Sequence, residues 1–541
     1  MIDVLVIGSG FGGAVMAARL APAVKALGGG RRLVLLEHGA DPSGALDPHG
    51  PGQPLNAQGN RFRHTLSPRY LDSLARLYTD THGHYRSGTP SMAVATGRAL
   101  GGGSQVYDGV SLRAPTEAFE QLRDGRRLWP ARYTRAALDP LYATVEQRLK
   151  VRRLAWTDAS APHWALTTKR DAVFAEGCRR IGATAVPLKV ATSDDANEGW
   201  WNEGPRFSGR QSLTLNYLAD AAAAGAELQT GCEVERVAPR PGGGYVVTGK
   251  DHRTNQPLEL ECRVLVVACG AVGSSALLLR SQEAFDSGAP LDPHGLLGKR
   301  LSANGDYGVT GSVGAAVGDV EGFKGKPMSS FCPSFYKQHG FIVIPFYAAP
   351  LFLSLGQFTS VLRARAPMAV GRGSTDFAPG ERDWGAAFKQ RMTTFGARML
   401  TMGCLAFDDG EGEVKLGPRG PEVAWRETSA ATEARWSAAL TVMRRIYEAL
   451  GGELYLDAYR ERGTVHTSHP LGGVPMASEA RHGVVDENGE SFTRPDLFVV
   501  DGAIIPSSLC ANPSLTIAAV AEGIAARLVA GQGMRRLADR L

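Results

Sequence analysis

The chain has 541 residues and a net charge of +5 from 59 basic and 54 acidic side chains, with no Lys/Arg block, which excludes a nucleic-acid-binding role. A hydrophobic fraction of 43% with 8% aromatics fits a soluble globular protein, and the length exceeds one simple core, so two domains or one elaborate one are expected. The seven cysteines are scattered, with no CxxC pair and no zinc spacing, which points to reduced thiols, a cytoplasmic setting and no metal.

The first forty residues read as strand, glycine turn, helix, strand and acid. The β-branched run 2–7 leads into Gly8-Ser9-Gly10-Phe11-Gly12-Gly13, an Ala-rich helical pattern covers 14–27, and the apolar run 33–36 ends on Glu37. Gly8 permits the tight turn, Gly10 lets a backbone approach a pyrophosphate, and Gly13 lets the helix pack on the sheet. The helix start presents free N–H groups and a positive dipole end to phosphate. Glu37 stands where a carboxylate accepts from both ribose hydroxyls. This is a dinucleotide site; the stretch leaves NAD and FAD open. The strand begins at residue 2, so no signal peptide is expected.

Residues 41–70 are rich in Pro, Gly, His and Arg and read as a long loop. His82 and His84 have only Asp80 as a close acid and no nearby Cys, so they are not read as a metal pair. A second glycine-rich turn covers 97–104. Residues 116–151 look helical with breaks at Pro130 and Pro140, and 155–210 are irregular around Trp200-Trp201. A helix at 213–224, strands at 227–230, 232–237, 244–248 and 258–268, and a helix at 276–280 follow. From 281 to 460 strand-like runs at 308–317, 341–347, 399–405 and 413–416 alternate with turns and one clear helix, 431–449, which indicates a mostly antiparallel sheet. Residues 340–358 carry no charge for nineteen residues, yet Pro345 and Pro350 break a spanning helix. Short strands or a lid over an apolar pocket are expected there, with a peripheral lipid-facing surface left open and no transmembrane span. Near the end, strand 497–500 leads to Asp501-Gly502, Asn512-Pro513 caps a helix at 514–529, and the basic tail 535–541 is expected to fray.

Five segments, in order, carry a family resemblance: VLVIGSGFGG at the start, GRALGGGSQVYDG at 97–109, ACGAVGSSALLLRS at 268–281, HTSHPLGG at 466–473 and DGAIIPSSLCANPSLTIAAVAEGIA at 501–525. Together they resemble the glucose–methanol–choline (GMC) oxidoreductase superfamily of FAD-dependent alcohol oxidases and dehydrogenases, and within it most closely the bacterial cholesterol oxidase branch. The resemblance implies an α/β fold: a discontinuous Rossmann-like FAD-binding domain of GMC type over 1–115, 205–280 and 465–541, with an inserted α+β substrate domain on a mostly antiparallel sheet over 116–204 and 281–464. It assigns Gly8, Gly10, Phe11, Gly12, Gly13 and Glu37 to the ADP half of FAD. It assigns Gly97, Gly101, Gly102, Gly103 and Ser104 to the pyrophosphate and flavin edge, and Val110 to a place beside the isoalloxazine. Val234 matches the position whose backbone reads the adenine, Gly270 the turn closing over the adenosine half, and Asp501 and Gly502 the turn at the ribitol and phosphates. Tyr107 stands where the cholesterol oxidase branch has Asn, and is expected to reshape the flavin pocket or reach the substrate. Relatives with covalent flavin place a His where this chain has Val106, so the FAD is expected to be non-covalent.

The resemblance also places the reaction at the C-terminal end. His469, in HPLGG, would accept the hydroxyl proton, since a neutral imidazole titrates near pH 7. Asn512, in NPSLT, would hold and orient the alcohol oxygen. Pro513 and Ser514 open a helix whose positive end would face the flavin edge. His466 is a weaker candidate. The implied reaction is oxidation of a hydroxyl group on an apolar or amphipathic substrate, steroid-like or another natural product, by hydride transfer to flavin N5, with O2 or another acceptor re-oxidising the flavin. The cholesterol oxidase branch adds a catalytic Glu on a sheet strand; the loosely aligned position here is near Gly396, and Glu411 and Glu413 fall past the strand. That absence, with Tyr107, keeps open a non-redox or non-alcohol flavoenzyme, a lyase or decarboxylase, on the same scaffold. The sequence is silent on oligomeric state.

Overall fold

The computed structural model describes residues 1–41, 78–82, 91–153, 168–193, 209–285, 289–322, 326, 328–346, 386, 397–418, 420–457 and 464–541. The expected loop beyond residue 41, Trp200 and Trp201, His84, Gly396 and the apolar run beyond 346 lie outside these residues, as does the side chain of His82.

Strand Ile2–Ile7 is buried along its whole length, which is what an apolar run with sheet on both sides and helices on both faces becomes. It pairs in parallel with Leu33–Leu36 on one side and with Gln256–Val267 on the other. Glu227–Gln229 extends the first side in parallel, and Leu497–Val499 also runs parallel to Gln256–Val267. Tyr245–Asp251 and Cys232–Pro239 complete the seven-stranded sheet as an antiparallel meander. Strands from the start, middle and end of the chain therefore share one sheet. Helix Phe11–Ala26 follows the first strand, and helix Ser514–Ala530 packs in the same apolar core.

A second, antiparallel sheet takes the order Phe341–Phe346, Met399–Ala406, Tyr307–Ser312, Glu453–Asp457. Period-two alternation splits the first two strands between two apolar clusters. Phe341, Val343, Leu400, Met402 and Cys404 turn toward helix Ala430–Ala449, whose Trp436, Met443 and Tyr447 fill that core. Ile342, Ile344 and Leu405 turn the other way and meet Val110, Leu188, Val190 and Cys510 in a small separate cluster.

Three local expectations are corrected. Residues 116–151 are not one helix: a 3-10 turn Thr116–Phe119 and a tight hairpin precede helix Arg135–Arg148, whose N-cap is Thr134. Helix Gly270–Ser281 starts six residues before the expected 276, because Gly270 itself opens it. The tail does not fray. Leu537 is buried, and the Arg540 guanidinium bonds Glu490 at 2.5 and 2.9 Å and Asp496 at 2.5 Å while lying 5.1 Å from the Phe498 ring.

Candidate functional site

The two glycine turns touch. Gly8 has a φ of +96°, open to glycine without strain. A Cβ on Gly102 would lie 2.9 Å from the Gly10 Cα, so the 97–104 turn is seated directly on the 8–13 turn. A Cβ on Gly12 would fall 1.7 Å from the Val500 carbonyl oxygen and one on Gly13 2.0 Å from the Gly8 carbonyl oxygen. Gly13 thus serves helix packing as expected, and Gly12 carries a packing constraint the motif did not reveal. Gly10 and Gly103 are different: a Cβ there would meet nothing within 4 Å. The helix starting at Phe11 has no side-chain cap, and the first N–H groups of a helix have no intrahelical partner. An open glycine cradle at an uncapped helix N-terminus fits a pyrophosphate.

Other turn groups are already engaged. Gly101 N–H donates to Ser9 Oγ at 2.9 Å, and Ser104 Oγ donates to the Gly101 carbonyl at 2.7 Å while accepting from Leu213 N–H at 3.0 Å. Gly97 is held by packing, since a Cβ there would approach the Gly102 carbonyl oxygen to 2.8 Å. Of this turn, Gly103 is the glycine with an open face. Glu37 accepts Ser9 Oγ at 2.5 Å, Ser9 N–H at 3.1 Å and Gly39 N–H at 2.8 Å. Burial pushes its carboxyl up against the pull of these donors. Oε2 takes both Ser9 donors, so the acid is tied through Ser9 to the 97–104 turn, and Oε1 is the oxygen left to suit a ribose hydroxyl.

Tyr107 does not extend as a free hydroxyl. Its Oη donates to the Gln211 carbonyl at 2.6 Å, and its ring meets Phe11 edge-on at 5.5 Å. It braces the start of the first helix. Asp501 is also committed internally: Oδ2 accepts Gly270 N–H at 2.8 Å and Ser274 Oγ at 2.5 Å, and Oδ1 accepts Ala503 N–H at 2.7 Å. It links the 270 turn to the 502 turn rather than offering its carboxylate outward. Gly502 packs against the Pro470 carbonyl, and Gly472 N–H donates to the Gly502 carbonyl at 2.9 Å, so the 470–473 turn is fixed along the 501–502 turn. Val234 is buried in its strand beside a β-bulge. Val110 is buried and bridges Val190.

The structure brings His469 and Asn512 together. Asn512 Nδ2 lies 3.0 Å from His469 Nε2. Asn512 therefore does not cap the following helix; Pro513 takes the N-cap position in αR geometry, and Ser514 is the first helical residue. On its other side the imidazole Nδ1 lies 2.8 and 2.9 Å from the two oxygens of Asp306. An amide N–H can only donate and a carboxylate can only accept, so the network assigns the proton to Nδ1 and leaves the Nε2 lone pair facing Asn512. Asp306 is itself held by Thr467 Oγ1 at 2.8 Å and Ser468 N–H at 3.2 Å, and Thr467 Oγ1 also accepts His469 N–H at 2.8 Å. Burial alone would lower the imidazole pKa; the adjacent Asp306 carboxylate, with a contribution from Asp108, outweighs it, and the net direction is upward. Asn512 Oδ1 is buried and has no hydrogen-bond partner. A buried acceptor of this kind costs about 1–3 kcal/mol unless a ligand supplies a donor. His466 is exposed in strand Thr464–Thr467 and is not part of this group.

Sequence reading missed two acids. Asp306 sits in a turn 163 residues before His469, with no local motif to flag it. Asp108 directly follows the second glycine turn. Burial pushes its carboxyl up to about 6, against the pull of Arg210, His469 and Arg170. It occupies the same electrostatic neighbourhood as the imidazole.

Fold and site together define an α/β protein with a glycine cradle at an uncapped helix N-terminus and a part-buried acid–imidazole–amide chain, Asp306–His469–Asn512. Sequence profiles of the GMC oxidoreductase family match residues 2–303 with the N-terminal part and 410–521 with the C-terminal part. The chain belongs to the GMC oxidoreductase family, whose members are generally flavoproteins. Over 97% of its length it is 24% identical to a long-chain-alcohol oxidase of Arabidopsis thaliana, of which it spans 67%. Likeness to cholesterol oxidase of Mycobacterium tuberculosis is 48% over 56 residues, 10% of each chain. The crystal structure of pyridoxine 4-oxidase from Mesorbium loti shares the fold, with a TM-score of 0.64 at 18% identity over 97% of this chain and 99% of that one. Among the described residues no helix is long and apolar enough to cross a membrane.

Proposed function

We propose that this oxidoreductase oxidises a hydroxyl group on an apolar or amphipathic substrate, with His469 as the base and Asn512 as the orienting group. The observation that carries the reading is the chain Asp306–His469–Asn512 ending in a buried amide oxygen without a donor. A substrate O–H placed there would donate to Asn512 Oδ1 or to the His469 Nε2 lone pair, and the ring would take the proton at Nε2 while Nδ1–H stays on Asp306. The charge then created on the ring lies against a carboxylate in a part-buried site, where attraction is stronger than in bulk water. FAD, held non-covalently on Gly10, Gly103 and the open end of helix Phe11–Ala26 with Glu37 at its ribose, would supply the hydride acceptor. Gly8, Gly12, Gly13, Gly97, Gly101, Gly102, Ser104, Gly270, Asp501 and Gly502 would shape that bed through turn geometry and packing, Phe11 and Tyr107 would brace it, and Val234 would border the adenine.

Val110, Val190, Ile342, Ile344 and Leu405 come from both halves of the fold and form an apolar wall where the second sheet meets the 107–110 segment. This supports an apolar substrate body. The likeness to a long-chain-alcohol oxidase over 97% of the chain supports an aliphatic alcohol over a steroid, since the cholesterol oxidase likeness covers 56 residues. We assign residues 1–115, 205–280 and 465–541 to the cofactor-binding domain and 116–204 and 281–464 to the substrate domain; the membership of the two sheets supports this division, whereas helix Arg135–Arg148 packs in the same core as helix Ser514–Ala530.

The test is anaerobic mixing of the purified yellow protein with long-chain, aromatic and steroid alcohols. Bleaching of the flavin absorbance by at least one alcohol, with the long-chain class fastest, is the expected outcome. Unchanged absorbance across the panel together with a non-redox product would replace the reading with a lyase or decarboxylase.

A further inference from the structure

Away from the His469 site, on the edge of the seven-stranded sheet, three side chains converge: His38, Glu233 and His252. His252 Nε2 lies 2.7 Å from Glu233 Oε2, His38 Nε2 lies 3.6 Å from the same oxygen, and the two imidazoles stack with centroids 5.2 Å apart and planes 14° apart. One donor atom from each residue falls within 4.8 Å of the other two. We propose that these residues form a divalent transition-metal site of the zinc class.

The donor set selects the ion. Two imidazole nitrogens and one carboxylate oxygen suit Zn²⁺, Co²⁺, Ni²⁺ or Cu²⁺, whereas Ca²⁺ and Mg²⁺ require several oxygen ligands. A tetrahedral zinc ion with ligands at about 2.1 Å needs donor atoms about 3.4 Å apart. The His38–Glu233 separation already matches that edge, and the His252–Glu233 pair must open slightly as its shared proton is replaced by the ion. Burial holds the His38 ring below the ordinary imidazole range, with Arg98 and His252 acting the same way against the opposing pull of Glu233, which favours the neutral, ligating form. Glu233 is held below the usual carboxylate range, despite burial, by His252 and His38, with Arg280 adding to the effect. Arg98 and Arg280 repel a cation and make the site weaker than a cysteine-rich structural one.

The backbone beneath the cluster is fixed. Glu37 N–H donates to the Gln229 carbonyl at 2.8 Å and Cys232 N–H to the Glu37 carbonyl at 2.9 Å, which pins the chain on both sides of His38 and Glu233. Cys232 pairs with Asp251 in the sheet, and His252 N–H donates to the Gly231 carbonyl at 2.7 Å. The ligands come from three separate segments, so an ion would clamp the end of strand Leu33–Leu36 to the Cys232–Pro239 strand and to the turn after Tyr245–Asp251. One coordination position would stay open to solvent. The clamp lies beside Glu37, so its occupancy would stiffen that end of the sheet.

The experiment is calorimetric titration of the EDTA-dialysed, flavin-retaining protein with Zn²⁺, alongside thermal melts with and without Zn²⁺. The wild type is expected to show one saturable site and a higher melting temperature with zinc. His252→Ala is expected to weaken that site by about 10–100-fold or more and to abolish the thermal shift, while flavin content stays the same. His38→Gln, a smaller perturbation, should also weaken it and guards against misfolding of a single variant. Absence of a saturable site in the wild type, or affinities unchanged in both variants, would overturn the assignment.

Discussion

Asp306 grips His469 with both carboxylate oxygens, which lie 2.8 and 2.9 Å from the imidazole Nδ1. The carboxylate fixes the tautomer, aims Nε2 at Asn512 and favours the ring that has gained a proton. In the proposed reaction it is a positioning residue, since it would act through His469.

The pH dependence of kcat/KM should therefore rise with pH as His469 becomes neutral, with a midpoint above the ordinary imidazole value of about 6.5. Asp306→Asn removes the negative charge, so the neutral ring is favoured and the midpoint moves to lower pH. Turnover should fall by roughly 10²-fold or more because the protonated ring loses its partner. Rate profiles from pH 5 to 9 on both proteins check this; an unmoved midpoint would separate Asp306 from the mechanism.

Replacing the base itself should cost more than replacing its partner. His469→Ala should lower turnover by roughly 10²–10⁴-fold while the protein stays yellow. A near-normal rate in steady-state assays would remove His469 from the reaction.

Asn512→Leu keeps the branched shape and removes both the donor to Nε2 and the unpartnered oxygen. One hydrogen bond to substrate of about 1–3 kcal/mol corresponds to a loss of about 5–150-fold in kcat/KM. The loss should be largest for small alcohols, whose few apolar contacts cannot compensate for a misplaced hydroxyl. Kinetics across a chain-length series measures it.

The flavin should leave on denaturation. Val106 offers no nucleophile, and its N–H donates to the Gly103 carbonyl at 3.1 Å as part of the turn. Acid precipitation is expected to give a colourless pellet and a yellow supernatant, read at the flavin absorbance maximum.

The C-terminal tail should matter for stability. The Arg540 side chain is 2% exposed and bridges Glu490 and Asp496 over the Phe498 ring. Arg540→Ala leaves two acids close together and uncovers the ring, and is expected to lose about 2–4 kcal/mol. Urea unfolding followed by flavin and tryptophan signals checks the value, with no loss expected for exposed Arg481→Ala.

Much of the architecture was legible in the chain because its signals are local. The strand–turn–helix–strand–acid run at the start depends on φ freedom at Gly8 and on period, both properties of neighbouring residues. HPLGG and NPSLT likewise marked His469 and Asn512 as a pair to be tested. Misreadings arose where a distant group overrode local propensity. The tail looked frayed because Glu490 and Asp496 are remote in sequence. Asn512 looked like a helix cap because the imidazole that claims its amide lies 43 residues earlier.

By itself, then, the sequence determined the strand–glycine turn–helix elements, their interleaving with an antiparallel sheet and the two polar residues of the proposed reaction centre. Only the tertiary structure decided that Asp306 stands behind the imidazole, that Ser104 and Asp501 are used up inside the protein, and that His38, Glu233 and His252 meet at one edge. Hydrogen bonds and charge pairs of this kind depend on distances of about 3 Å, and sequence separation carries no information about distances on that scale.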